Sequence, residues 1–475
     1  MTRPSTTIAD LRLEASALMR LALPIVITQL AQHGFSVTDV IMAGNAGAVD
    51  LAAVSLGSAV WLLLFLFIIG VLTIQSSLVA HANGRGLPER AVFHTWQGLW
   101  LGLLLGMIGL AICQEGDWLL QWIDTSADVK SKAAAYLAAI GWSLPAIGLY
   151  QALRGFTEGW SRSRPVMAMT LLAAGLNIPA DYVLVFGLGP VPAMGGVGCG
   201  WATTLVSWLL LLLAVGYTRW AARRGYLPHL FEHFRKPEYG GIRELFGLGL
   251  PVALGIFFEA SLFSIMSVLV APYGATALAS HQIAYNASAT TYMVPLALGL
   301  AITVRVGFRL GEGQPQQAAR VAFLGIGLGA LLALGAGIAL FLGGTTIADW
   351  YSDQPGVIEF GGYLLGLAAI FQISDSIQAA TSGALRGYKD TRAIMLATLA
   401  AYWLIGLPVG VFLADGAGLF EGLGVTGYWV GLICGLSAAA VLLLLRLVVL
   451  VRGYRRSAIP QRDALSDQQS GRGAA

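Results

Sequence analysis

The sequence predicts an all-α integral membrane protein of twelve transmembrane helices, arranged as two six-helix lobes related by a pseudo-twofold axis along the membrane normal. Three observations predict it. Apolar runs of ~20 residues, the length that crosses the hydrocarbon core, recur along nearly the whole chain. Lys and Arg collect in alternate connections. The second half of the text also echoes the first. Of 475 residues, 57% are hydrophobic and 11% charged, where a soluble domain carries roughly a quarter charged, so a water-soluble fold is excluded. The 60 glycines follow no collagen period and lie mostly inside apolar runs, as in closely packed membrane helices.

The spans read as 18 to 42, 53 to 80, 92 to 113, 134 to 155, 166 to 188 and 196 to 217, then 245 to 271, 276 to 305, 319 to 343, 360 to 385, 392 to 414 and 422 to 451. The first follows Arg3, Arg12 and Arg20 and has no small-residue cleavage pattern, so it is expected to remain in the protein. All but two of the 28 Lys and Arg fall in or beside the N-terminus, the connections near Arg85, Arg154 to Arg164, Arg219 to Arg243, Arg305 to Arg320 and Arg386 to Arg392, and the C-terminal tail. Lys130 and Lys132 are the exceptions. Because positive residues are retained on the cytoplasmic side, both termini are expected in the cytoplasm, with the chain in the inner (plasma) membrane.

The longest polar connection, Arg219 to Glu244, falls at the middle of the chain and is the natural linker. LALPIVITQL from Leu21 resembles LGLPVALGIF from Leu248, placing Pro24 opposite Pro251. ALRG ending at Gly155 recurs as ALRG ending at Gly387, and GGVGCGW ending at Trp201 resembles GLGVTGYW ending at Trp429. An even number of spans per half makes the repeats parallel, which suits a transporter with a central cleft. The expected organisation is an N-lobe over 1–217, a cytoplasmic linker over 218–244, a C-lobe over 245–451 and a tail over 452–475. Each proline removes a backbone hydrogen bond within its span and is either a bending point or a packing kink.

Charges at bilayer depth cost ~2.5–3.5 kcal/mol on insertion scales and are functional candidates by default. Four carboxylates meet that description: Asp39, Asp181, Glu259 and Asp375, none with a nearby Lys or Arg on the same helix. Asn177 and Asp181 lie four residues apart, hence on one helix face. With the Thr203 hydroxyl and Asp39 they make an all-oxygen set that a hard cation such as Na+ prefers, and a proton is an equally good occupant. Glu259 and Asp375 stand among Phe, Ile and Leu, where isolated acids favour cation or proton exchange and attract organic cations. Gln29, Gln32, Gln282, Asn286 and Tyr292 line the same cleft as substrate contacts or else serve as interhelical glue. His33, His81 and His281 are weaker candidates. Cys113, Cys199 and Cys434 have no metal or disulfide spacing and read as structural.

No Walker loop, HExxH, GxSxG or nucleotide fingerprint is present, so nothing points to ATP-driven transport or to an enzyme. Energy is expected from an ion gradient, with no cofactor beyond the coupling ion, Na+ or H+.

Taken in order, LALPIVITQL, TDVIMAG at Thr38 to Gly44, LAAVSLG, LRGFTEG, LNIPADYVLVFG and GGVGCGWAT resemble the multidrug and toxic compound extrusion (MATE) family, NorM-type branch. In the second half GLPVALGIFFEASLF, ALASHQIAYNAS, QISDSIQAATSGALRGYKDT and GVTGYW continue the resemblance, which covers nearly the whole chain. It implies two lobes around a V-shaped central cavity and export of cationic or amphipathic compounds against inward Na+ or H+ by alternating access. It also implies that Asp39, Asn177, Asp181 and Thr203 form an N-lobe cation site, and Glu259 with Asp375 the acidic pair of a C-lobe site. Position 371 is Phe where that branch often has Tyr, so the N-lobe set is favoured for coupling. Cationic drugs or metabolites and the lipid bilayer are the expected partners, nucleic acid is not, and a monomer suffices. The rival reading is a lipid-linked precursor flippase of related architecture, which calls for basic rather than acidic residues in the spans.

Overall fold

The computed structural model describes residues 8–232, 234–416 and 421–457; most of the tail predicted at 452–475 lies outside them. The described residues are helical apart from turns, the longer connection over 224–238 and one bridge between Leu188 and Val191. Among the described residues, twelve helices are long and apolar enough to cross a membrane: Arg12–Ala46, Ala48–Gly84, Pro88–Gln114, Ala127–Gly159, Ser163–Phe186, Gly196–Arg223, Tyr239–Tyr273, Ala275–Gly311, Pro315–Asp349, Pro355–Gly387, Thr391–Asp415 and Val425–Tyr454. In lipid every backbone polar group needs an internal partner, and helices supply one residue by residue.

Most spans run several residues past the ends read from hydropathy. One consequence corrects the charge count: Arg154 and Arg386, expected in the connections, lie inside the fourth and tenth spans and are buried. Their guanidiniums are satisfied there, Arg154 by Glu158 at 2.8 Å and Arg386 in part by Thr303, whose hydroxyl accepts from Nε at 3.4 Å. Lys132, an exception to the alternation, pairs with Asp50 at 2.7 Å. The second Asp50 oxygen accepts from the Gly196 N–H at 2.8 Å, at the start of the sixth span. That carboxylate suits the positive end of a helix. Gly195 has φ +58, and a Cβ there would stand 2.6 Å from Asp50 Oδ1, so the turn needs glycine.

By contacts the chain forms two units, one of residues Met1–Leu18 and Ser261–Ala475, the other of Met19–Ala260. The first span therefore passes from one unit to the other at Leu18, and the seventh at Ala260. In the first unit, Glu14 pairs with Arg305 at 2.6 Å and with Arg309. The eighth and tenth spans pack closely enough that a Cβ on Gly383 would fall 2.2 Å from the Gly299 carbonyl oxygen. In the second unit, Gly102 and Gly148 bring the third and fourth spans together, with a Cβ on Gly148 2.2 Å from the Gly102 carbonyl oxygen. Small residues at such crossings replace the hydrophobic driving force that lipid does not provide.

Candidate cation-coupling site

The fifth span is polar on its packed face and apolar on the other. Its buried residues are Ser163, Val166, Thr170, Ala173, Asn177, Asp181 and Val185, a stripe with steps of three and four. Leu172, Ile178 and Tyr182 are exposed. A helix in lipid with this pattern must turn its polar stripe inward, because a bare carboxylate in hydrocarbon is too costly.

That stripe faces the first and sixth spans. Asp39 is 7% exposed, Asn177 1% and Asp181 0%, which removes them from bulk solvent. One ligand atom each from Asp39, Asp181 and Cys199 lies within 4.8 Å of the others. The Thr203 hydroxyl donates to Asp39 Oδ2 at 3.2 Å, and the Cys199 thiol to the Asp39 carbonyl at 3.6 Å. Asp39 Oδ1, both Asp181 oxygens and both polar atoms of the Asn177 side chain have no hydrogen-bond partner. Ala43, Val54, Tyr136, Ile140 and Val185 pack with Cys199 as an apolar wall beside the group. Two carboxylates this close repel in such surroundings, and a shared cation or proton relieves the repulsion.

The structure thus brings together Asp39, Asp181 and Thr203 from three helices, with Asn177 one turn from Asp181 on the same buried stripe. Cys199 belongs to the group as well, although its sequence context reads as structural. Only its spacing of four before Thr203, which puts both on one face of the sixth span, signals it.

Gln29 and Gln32 sit elsewhere on the first span, where their side-chain oxygens accept from Arg154 at 3.1 and 3.4 Å. Of the second-half candidates, Glu259 is half-buried and belongs with Met19–Ala260, while Asp375 is 3% exposed and belongs with Ser261–Ala475. Near Asp375 on the tenth span, buried Gln372 and Ser376 have side-chain atoms without a hydrogen-bond partner. Phe371 packs edge-on against Phe263 and Trp429. On the eighth span Gln282 donates to Ser267 at 3.4 Å, Asn286 is exposed and Tyr292 half-buried. His281 is buried and shares a 3.1 Å hydrogen bond with Ser267.

The MatE family signature matches this chain twice, over residues 24–183 and 251–412. The two matches begin at Pro24 and Pro251, the pair that aligns the halves. Over 435 residues the chain is 40% identical to Multidrug resistance protein MdtK of Yersinia pseudotuberculosis serotype O:1b (strain IP 31758), covering 91% of this chain and 95% of that protein. It is 39% identical to the protein of that name from Yersinia enterocolitica serotype O:8 / biotype 1B, with the same coverage. Among solved structures, the eukaryotic MATE transporter AtDTX14 superposes with a TM-score of 0.82 at 22% identity, over 94% of this chain and 99% of its own. An outward-facing multidrug resistance MATE family transporter gives 0.84 at 19%, over 96% and 100%. At those identities the likeness is one of fold. With the family signature repeated in both halves and relatives aligned along most of its length, the chain belongs to the MatE family, as a multi-pass membrane transporter of twelve spans and not an enzyme.

Proposed function

We propose that this chain is a secondary multidrug efflux antiporter, exporting cationic or amphipathic compounds in exchange for Na+ or H+ by alternating access. The observation that carries the reading is the buried meeting of Asp39 and Asp181 with unpartnered oxygens. A cation or proton between the two acids relieves their repulsion, and among the described residues no Lys, Arg or His forms an ion pair with either. The name of the Yersinia relatives supports drugs as the cargo. Asp39, Asp181, Asn177 and Thr203 hold the coupling ion, with the Cys199 thiol beside them. Glu259 and Asp375 act as secondary acids that attract a cationic substrate, and Gln282, Asn286 and Tyr292 contact it.

Exchange needs each ligand to bind the inward and outward states with different affinity, since equal binding to both shifts nothing. Occupancy of the Asp39 and Asp181 group by the ion offsets part of its negative charge and weakens the attraction for a cationic drug, so each ligand disfavours the other. Asp39 rides on the first span beyond Pro24, where a missing backbone hydrogen bond lets the helix bend. The lobes 1–217 and 245–451 are the moving halves, joined through the linker 218–244. The alternation of basic connections supports an inner-membrane orientation with both termini cytoplasmic.

Ethidium efflux from proteoliposomes under an imposed Na+ or pH gradient tests the proposal. The expected result is efflux under one of the two gradients. Absence of efflux under both, together with translocation of a lipid-linked precursor, would overturn it in favour of a flippase.

A further inference from the structure

Arg154 uses all three of its guanidinium nitrogens. Nε donates to Glu158 Oε1 at 2.8 Å, one turn along the fourth span, while Nη2 and Nη1 reach across to Gln29 and Gln32 at 3.1 and 3.4 Å. The ion pair is deeply buried, with side chains 4% and 6% exposed. A buried pair of this kind adds little net stability, and its best-attested use is to fix register between elements. The planar fork of Arg suits it to grip two acceptors at once, which Lys does not match.

Gln29, Gln32, Ser36 and Asp39 follow one another at steps of three, four and three, so they form one stripe along the first span. The fourth span holds that stripe at its lower end through Arg154, and the sixth span holds it at Asp39 through Thr203 and Cys199. Seven residues separate Gln32 from Asp39, about 10 Å along a helix axis. The rotation and height of Asp39 relative to Asp181 therefore depend on the lower grip.

We infer that Arg154 is a positioning residue for the cation site, keeping Asp39 in register with Asp181 by clamping the first span through Gln29 and Gln32, with Glu158 aiming the guanidinium. The inference rests on the reading of Asp39 and Asp181 as the coupling site. It also gives Gln29 and Gln32 a role other than substrate contact, and the two roles separate experimentally.

The test is the Gln29→Leu/Gln32→Leu double variant, which leaves the Arg154 and Glu158 pair in place, with the single Gln32→Leu and Arg154→Lys beside it. Ethidium efflux from proteoliposomes is measured against the concentration of the driving cation, Na+ or proton, and separately against ethidium. With two charge-assisted hydrogen bonds lost, the half-saturating cation concentration should rise about tenfold in the double variant and about threefold in Gln32→Leu, with the ethidium half-saturation shifting by less than about twofold, because the drug contends for the charge of the pair, which these variants keep, and not for its register. Arg154→Lys should show the same split. A shift in ethidium half-saturation with cation dependence unchanged would make the glutamines substrate contacts and overturn the inference, as would no shift in either. Asp39→Asn run in parallel separates the two claims. If it keeps full gradient-driven efflux, the coupling site itself is wrong; if it loses efflux while the glutamine variants keep normal cation dependence, only the clamp is wrong.

Discussion

The two halves of the chain build the same corner from different residues. Setting Pro24 against Pro251, Pro179 against Pro408 and Trp201 against Trp429 puts Met266 opposite Asp39, Gly410 opposite Asp181 and Gly431 opposite Thr203. In the first half those positions converge as an acidic, partly unsatisfied cluster. In the second half they converge too. A Cβ on Gly410 would lie 3.4 Å from the Met266 Cε and 3.5 Å from the Gly431 Cα, and a Cβ on Gly431 only 2.4 Å from the Gly410 Cα. The fold brings three helices to one point in both repeats. The residues then decide whether that point holds a charge or is closed by backbone contact, so the cation chemistry belongs to side chains and not to the architecture.

The largest effect should come from breaking the charged corner. Asp39→Asn and Asp181→Asn should each lower gradient-driven ethidium efflux by about a hundredfold or more, at unchanged membrane expression, because a neutral amide no longer compensates a cation in a low-dielectric site. Next comes the closed corner. Gly431→Ala forces a methyl against backbone that cannot yield and should destabilise the protein by about 1–3 kcal/mol, read as earlier thermal unfolding in detergent. Thr203→Ala at the matching position should instead leave unfolding near wild type and weaken cation dependence.

Much of this contrast was legible in the sequence, and some was not. Long apolar runs and alternating basic connections establish the spans, because hydrocarbon thickness and charge retention act on composition alone. Asp39, Asp181, Glu259 and Asp375 stand out for the same reason. That Asp39 meets Asp181 and Cys199 does not follow from spacing, since the three sit on different helices and only packing joins them. Arg154 and Arg386 read from sequence as charges of the connections because each falls at the end of an apolar run, and hydropathy does not register that Glu158 or Thr303 waits inside to satisfy it. The ALRG motif recurs with different wiring as well. Asp390, at the register of Glu158, accepts from Arg446 at 2.7 Å, a partner that no local pattern announces.

Smaller effects sharpen the comparison. Asp375→Asn should lower efflux by less than about tenfold and leave its cation dependence unchanged, since the second half lacks the acidic corner. Full loss of coupling in that variant would move the site to the second half. Asp50→Asn should cost below about 1 kcal/mol, because Lys132 is half-exposed and the amide oxygen still accepts from the Gly196 N–H; thermal unfolding in detergent checks it.

The central claim is that drug and coupling ion contend for the charge of Asp39 and Asp181. Its most direct test is the affinity of the purified protein for ethidium, followed by fluorescence, across a series of Na+ concentrations and a series of pH values. Affinity in the wild type should fall as one of the two cations rises, and that dependence should vanish in Asp39→Asn. An identical cation dependence in both proteins would contradict the account.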